Sequence, residues 1–117
     1  MDWLFMERRG KVSMTNYIIA ISTCNPEDAA HISKNLIESR KCACVNIIKG
    51  IRSIYHWKDN IEDEEESLLL MKTEADRESE LKDALFKVHP YETPEFITIP
   101  ILSGASAYLE WISSNIA

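Results

Sequence analysis

Residues 16–23, NYIIAIST, set apolar and β-branched side chains together between turn formers, which predicts a strand. The pattern then changes period. Behind Asn25 and Pro26, which suit an N-cap and a first helical position, Ala29, Ile32, Leu36 and Ile37 recur at helical spacing. A helix from Pro26 to Arg40 is predicted. ACVNIIKGIRSIYHWK, residues 43–58, returns to β-branched and aromatic residues. Cys44, Asn46 and Ile48 share one face of this strand, and Ile51, Ser53, Tyr55 and Trp57 share a face beyond Gly50. Lys49-Gly50 marks a bulge or bend. Residues 59–67, DNIEDEEES, read as a turn, and residues 68–73, LLLMKT, as the returning strand.

Leu81, Ala84, Leu85 and Val88 then stand at i, i+3, i+4 and i+7, predicting a second helix capped by Thr73 or Asp76. Pro90 stops it, because the residue before proline avoids helical geometry. Residues 95–101, EFITIPI, form a short strand with prolines at both ends, hence an edge. Ala105, Tyr108, Leu109 and Ile112 give a final helix one apolar face. The order β-α-β-β-α-β-α predicts an α+β fold: a ferredoxin-like split βαβ sandwich with a long central hairpin and an extra C-terminal helix. Residues 15–117 make one domain. Residues 1–14 make a loose extension rather than an export signal, with Met14 a candidate start.

The hairpin is the unusual element. Two strands of about 12 residues reach about 40 Å at ~3.3 Å per residue, which helices of ordinary length cannot cover. Ile54, Tyr55 and Trp57 on the overhang need a neighbour, so an oligomer is expected.

Composition narrows the function. The 117 residues carry a net charge of −6, which argues against a nucleic-acid-binding face. No apolar run approaches the roughly 20 residues of a membrane helix. Three cysteines, an odd number, point to free thiols in a reducing, cytoplasmic setting. Cys44 reads as a small core hydrophobe or as a soft ligand for copper or zinc, with Cys42 on the same face if the strand already runs there. His89 reads as a helix-terminal imidazole or as a ligand in a cleft. Tyr91, Glu92 and Glu95 follow within six residues and could complete a polar pocket with Lys72. Glu62–Glu66 could attract hard cations but, without calcium-loop spacing, reads as a solvated hairpin turn. Cys44 with His89 could also be a nucleophile and base, but no nucleophile elbow, phosphate loop or oxyanion motif accompanies them. The chain is not read as an enzyme.

The segments KCACVNIIKGIRSIYHWKDNIEDEEESLLLMKT and VHPYETPEFITIPILSGASAYLEWI together resemble the CutA family of divalent-cation-tolerance proteins, from about Tyr17 to Ile112. The sequence departs from the family pattern at Lys49, where proline is usual, and at Asp59-Asn60, where a glycine-containing turn is usual. Some relatives carry a cysteine near the end of the first strand, whereas Cys24 is expected just beyond it, at the mouth of the helix. The resemblance implies a homotrimer joined by its long hairpins and an architecture similar to PII signalling proteins. It also implies binding of copper or another divalent metal, with no obligatory cofactor. A small-ligand sensor without catalysis is the alternative. Beyond the trimer, an unidentified protein partner is conceivable.

Overall fold

A computed structural model describes residues 15–117. The expected extension, residues 1–14, lies outside the described residues. Among the described residues, four strands and three helices follow in the order β1 (Tyr17–Cys24), α1 (Ala29–Glu38), β2 (Cys44–Trp57), β3 (Asn60–Glu74), α2 (Glu78–Val88), β4 (Ile97–Pro100) and α3 (Ser106–Ser114). Every strand pair is antiparallel and the sheet order is β2-β3-β1-β4, the split βαβ arrangement.

Alternation along β1 and β3 decides which face is covered. Cys24, expected just beyond the first strand, is the last residue of β1, and it joins Ala20 of β1, Leu69 and Met71 of β3, Ile32 and Leu36 of α1 and Leu81 and Leu85 of α2 in one core. The opposite face, bearing Ile19, Ile21, Ile48, Leu70, Ile97 and Ile99, is left open, and Ile97 is 53% exposed. β4 is short and proline-bounded, so it pairs with only four residues of β1. Ile37 lies outside the α1 face expected to be buried, and Tyr108 outside that of α3; both are exposed.

Both helix starts differ from expectation. A 3₁₀ turn, Pro26–Asp28, precedes α1, and the Asn25 side chain caps nothing there. It faces Tyr91 instead. Before α2 another 3₁₀ turn, Ala75–Arg77, intervenes. Neither Thr73 nor Asp76 caps α2: Thr73 lies in β3 and donates its hydroxyl to the Lys41 carbonyl.

The hairpin is longer than expected. Residues 60–67 are strand, not turn, and only Lys58 and Asp59 turn the chain, both at positive φ (50° and 68°). The acidic run suits a strand here because β2 provides partners. Arg52 makes a two-pronged ion pair with Asp63 at 2.8 and 2.7 Å, and Tyr55 donates to Glu64 at 2.7 Å. The expected bulge is present between Ile48 and Ile51, with Gly50 at φ 74°. β1 pairs with β3 only as far as Ser67, so residues 60–66 are bonded to β2 alone and project as an overhang.

Candidate functional site

Where the overhang leaves the sheet, a cavity of about 780 Å³ opens between the hairpin, the end of β1 and the loop after α2. Its walls follow from period-two geometry. Glu62, Glu64 and Glu66 point to one face of β3, opposite Tyr55, Ser53 and Ile51 of β2. Loop residues Tyr91, Glu92 and Glu95 close the other side, and Thr23 and Asn25 form the floor at the β1 end.

The HPYETP corner is built for rigidity. His89 is buried, its Nε2–H donating to the Thr23 carbonyl at 2.8 Å. Its Nδ1 accepts the Tyr91 amide at 3.2 Å, so both ring nitrogens are in use. The imidazole ties the loop to β1 and is not presented to the cavity. The Tyr91 hydroxyl donates to Glu66 Oε2 at 2.5 Å and lies 3.0 Å from a second acceptor, Asn25 Oδ1. Burial, and then the carboxylate beside it, push the Tyr91 phenol well above its ordinary range. Glu66 is only 4% exposed, yet among the described residues no cation pairs with it and Tyr91 is its one recorded donor. The Tyr55 phenol is pushed up to about 12, first by its hydrogen bond to Glu64. Burial raises the Glu95 carboxyl, and the neighbouring Glu66 adds to the shift.

The expected site residues divide. Tyr91, Glu92 and Glu95 line the cavity, as do Ile54, Tyr55 and Trp57 of the overhang. Lys72 does not. It lies six residues beyond Glu66 along β3, opposite Cys44, and donates to Asn46. Cys44 joins that cluster, its sulfur 3.9 Å from Asn46 Oδ1. Cys42 is not on the same face, because β2 begins only at Cys44. It turns into the helix-covered core, where burial pushes its thiol up to about 12. His89 bonds at Thr23, which faces Leu68, whereas Cys44 faces Lys72. Along β3 that separation is about 13 Å at ~3.3 Å per residue. The chain therefore does not bring Cys42, Cys44 and His89 together. Among the described residues no three His, Cys, Asp or Glu side chains group closely enough to hold a metal ion.

Glu62, Glu64 and Glu66 are cavity residues that reasoning from sequence assigns to a solvated turn. Their i, i+2, i+4 spacing was the available signal. Reading the acidic run as a turn concealed it.

Residues 17–115 match the family of CutA1 divalent ion tolerance proteins. A divalent-cation tolerance protein CutA from Thermus thermophilus is 39% identical over 98 residues, covering 84% of this chain and 95% of the other. The human protein CutA is 42% identical over 94 residues, covering 80% of this chain but 52% of its own length. The chain thus spans about half of that relative. Among solved structures, the PII-like protein CutA from Nostoc superposes with a TM-score of 0.80 at 31% identity, covering 86% of this chain and 97% of that one. No helix among the described residues is long and apolar enough to cross a membrane.

Proposed function

Because the chain belongs to the CutA1 divalent ion tolerance family, we propose that it works as a non-catalytic homotrimer that takes up divalent or soft metal ions, copper among them. The observation that carries this reading is the charge of the cavity: five glutamates line it and, among the described residues, no lysine or arginine does. Carboxylates supply oxygen ligands for hard cations, and the half-buried Cys44 supplies the soft ligand copper(I) prefers. The described residues of one chain do not complete a ligand set, so the proposed site draws on a neighbouring copy, which the exposed Ile54 and Trp57 of the overhang support. Three free cysteines support a reducing, cytoplasmic setting. Calorimetric titration of the full chain with copper(I) and zinc tests the reading. Cys44→Ala should lower copper(I) affinity at least tenfold, and Glu66→Gln should lower zinc affinity. Equal affinities in wild type and both variants would overturn the assignment.

A second reading, a small-ligand sensor, is favoured by the size of the cavity. About 780 Å³ is far more than one ion fills and lies in the range of small-molecule sites. Three aromatic side chains, Tyr55, Trp57 and Tyr91, line it. A thermal-shift screen against metabolites of each charge class tests it, since a ligand of the native state raises apparent stability.

A further inference from the structure

The chemistry of the cavity selects a ligand class. We infer that it takes an alkyl di- or polyammonium ion, an extended organic cation, an inference that rests on the small-ligand reading. Three observations converge. The first is charge in a setting where charge is costly. Glu66 sits at the back of the cavity, nine-tenths buried, with a phenol as its one recorded partner and no counter-ion among the described residues. A buried carboxylate in that state is stabilised by any cation that reaches it.

The second is spacing. Glu62, Glu64 and Glu66 follow one another at every second position along β3, and Glu92 and Glu95 face them from the loop. Alternate strand residues stand about 6.6 Å apart, at ~3.3 Å per residue. No three of the carboxylates converge as a metal ion requires. Separate anionic points around a large cavity fit separate positive points on one flexible molecule.

The third is that the mouth already holds the proposed chemical group. Lys58 Nζ lies 3.7 Å from Glu92 Oε1 and 5.7 Å from the centroid of the Trp57 ring. An alkylammonium between an aromatic face and a carboxylate is the contact pair an organic diamine would make. Deeper in, Tyr55 and Tyr91 provide further ring surface for the methylene chain, while Glu64 and Glu66 receive the far ammonium. An anionic metabolite would meet the carboxylates of Glu62, Glu64, Glu66 and Glu95 with only Glu92 paired to a lysine, and a neutral one would bring Glu66 no counter-ion.

Calorimetry of the full chain at low salt tests this with 1,4-diaminobutane as probe and butylamine, 1,4-butanediol and succinate as comparisons. The diamine should bind saturably, at least tenfold tighter than butylamine, and weaken as salt rises. Glu66→Gln and Trp57→Ala should each weaken it at least tenfold. Glu80→Gln, which alters an exposed carboxylate on α2 away from the cavity, should leave it unchanged. Comparable loss in Glu80→Gln would show attraction to net charge alone and overturn the proposal. Binding of the diol or succinate in place of the diamine overturns the cationic class while the small-ligand reading stands. Binding of metal ions with none of the four molecules overturns both.

Discussion

Ser33 carries the one buried side-chain oxygen without a hydrogen-bond partner among the described residues, on the core face of α1. A hydroxyl stripped of water and left unpaired costs about 1–3 kcal/mol, and serine is also a poorer helix former than alanine. Ser33→Ala should therefore stabilise the protein by about 1 kcal/mol, read as a rise of several degrees in Tm with the fold unchanged. A fall in Tm would mean that the hydroxyl has a partner. Glu95 gives a prediction with a pH signature. Burial, then Glu66, raise its carboxyl above the ordinary 4.5, so the folded chain holds that proton more tightly than the unfolded one. The resulting stabilisation is complete below pH 4.5 and is lost as pH rises through the raised value. At neutral pH the ionised group is a burden, kept small by the exposure of the side chain. Glu95→Gln should raise Tm at pH 7, and the gain should vanish as the pH drops below 4.5. A gain that persists in acid would exclude ionisation as its cause.

At the scale of elements, the two-residue turn is the weak joint of the hairpin. Lys58 and Asp59 both occupy the left-handed region, as a tight hairpin turn between twisted strands demands, and neither is glycine. Each non-glycine residue there costs about 1–2 kcal/mol. Asp59→Gly should recover about 0.5–1 kcal/mol, part of the gain being offset by the entropy of the unfolded glycine. Gly50→Ala should do the reverse by about 1 kcal/mol, through its positive φ alone, since an added Cβ meets nothing within 4 Å. Denaturant midpoints of the two variants should move in opposite directions. The elements themselves were legible in the sequence because each carries a clean period: β-branched residues at 16–23, helical spacing at 81–88, prolines around the last strand. The acidic half of β3 was not. Its glutamates are poor strand formers alone, and only the cross-strand Arg52, Ser53 and Tyr55 turn them into a ladder. The cap at Asn25 misled for a related reason. A local rule assigned its side chain to its own helix, while Tyr91, 66 residues later, supplied a tertiary partner. Cys42 shares the face of Cys44 only if the strand already runs there, and the strand starts at Cys44, two residues beyond it. Composition suggested a polar pocket at the HPYETP corner. That its opposite wall is the hairpin overhang depends on register, which no local pattern states.

For the whole molecule, the open sheet face and the overhang are the features a lone chain leaves unsatisfied. Ile54 is 60% exposed and Ile61 69% exposed, on an edge hairpin that reaches past the rest of the sheet. The proposed homotrimer would cover both surfaces, with obligate interfaces on the order of 2,000 Å² or more in total. Ile54→Asp with Tyr55→Asp should yield monomer or aggregate by light scattering, whereas a stable monomer of the unaltered chain would sink the proposal. The position of the cavity has a further consequence. One of its walls is the same overhang that assembly would immobilise, so occupancy and subunit association draw on a single ordering event. Thermodynamic linkage then makes them reciprocal: whatever the ligand contributes to holding copies together, association returns as affinity, by the same factor. A ligand at this site would report the concentration of the protein as well as its own, and apparent affinity would sharpen as the chain becomes abundant.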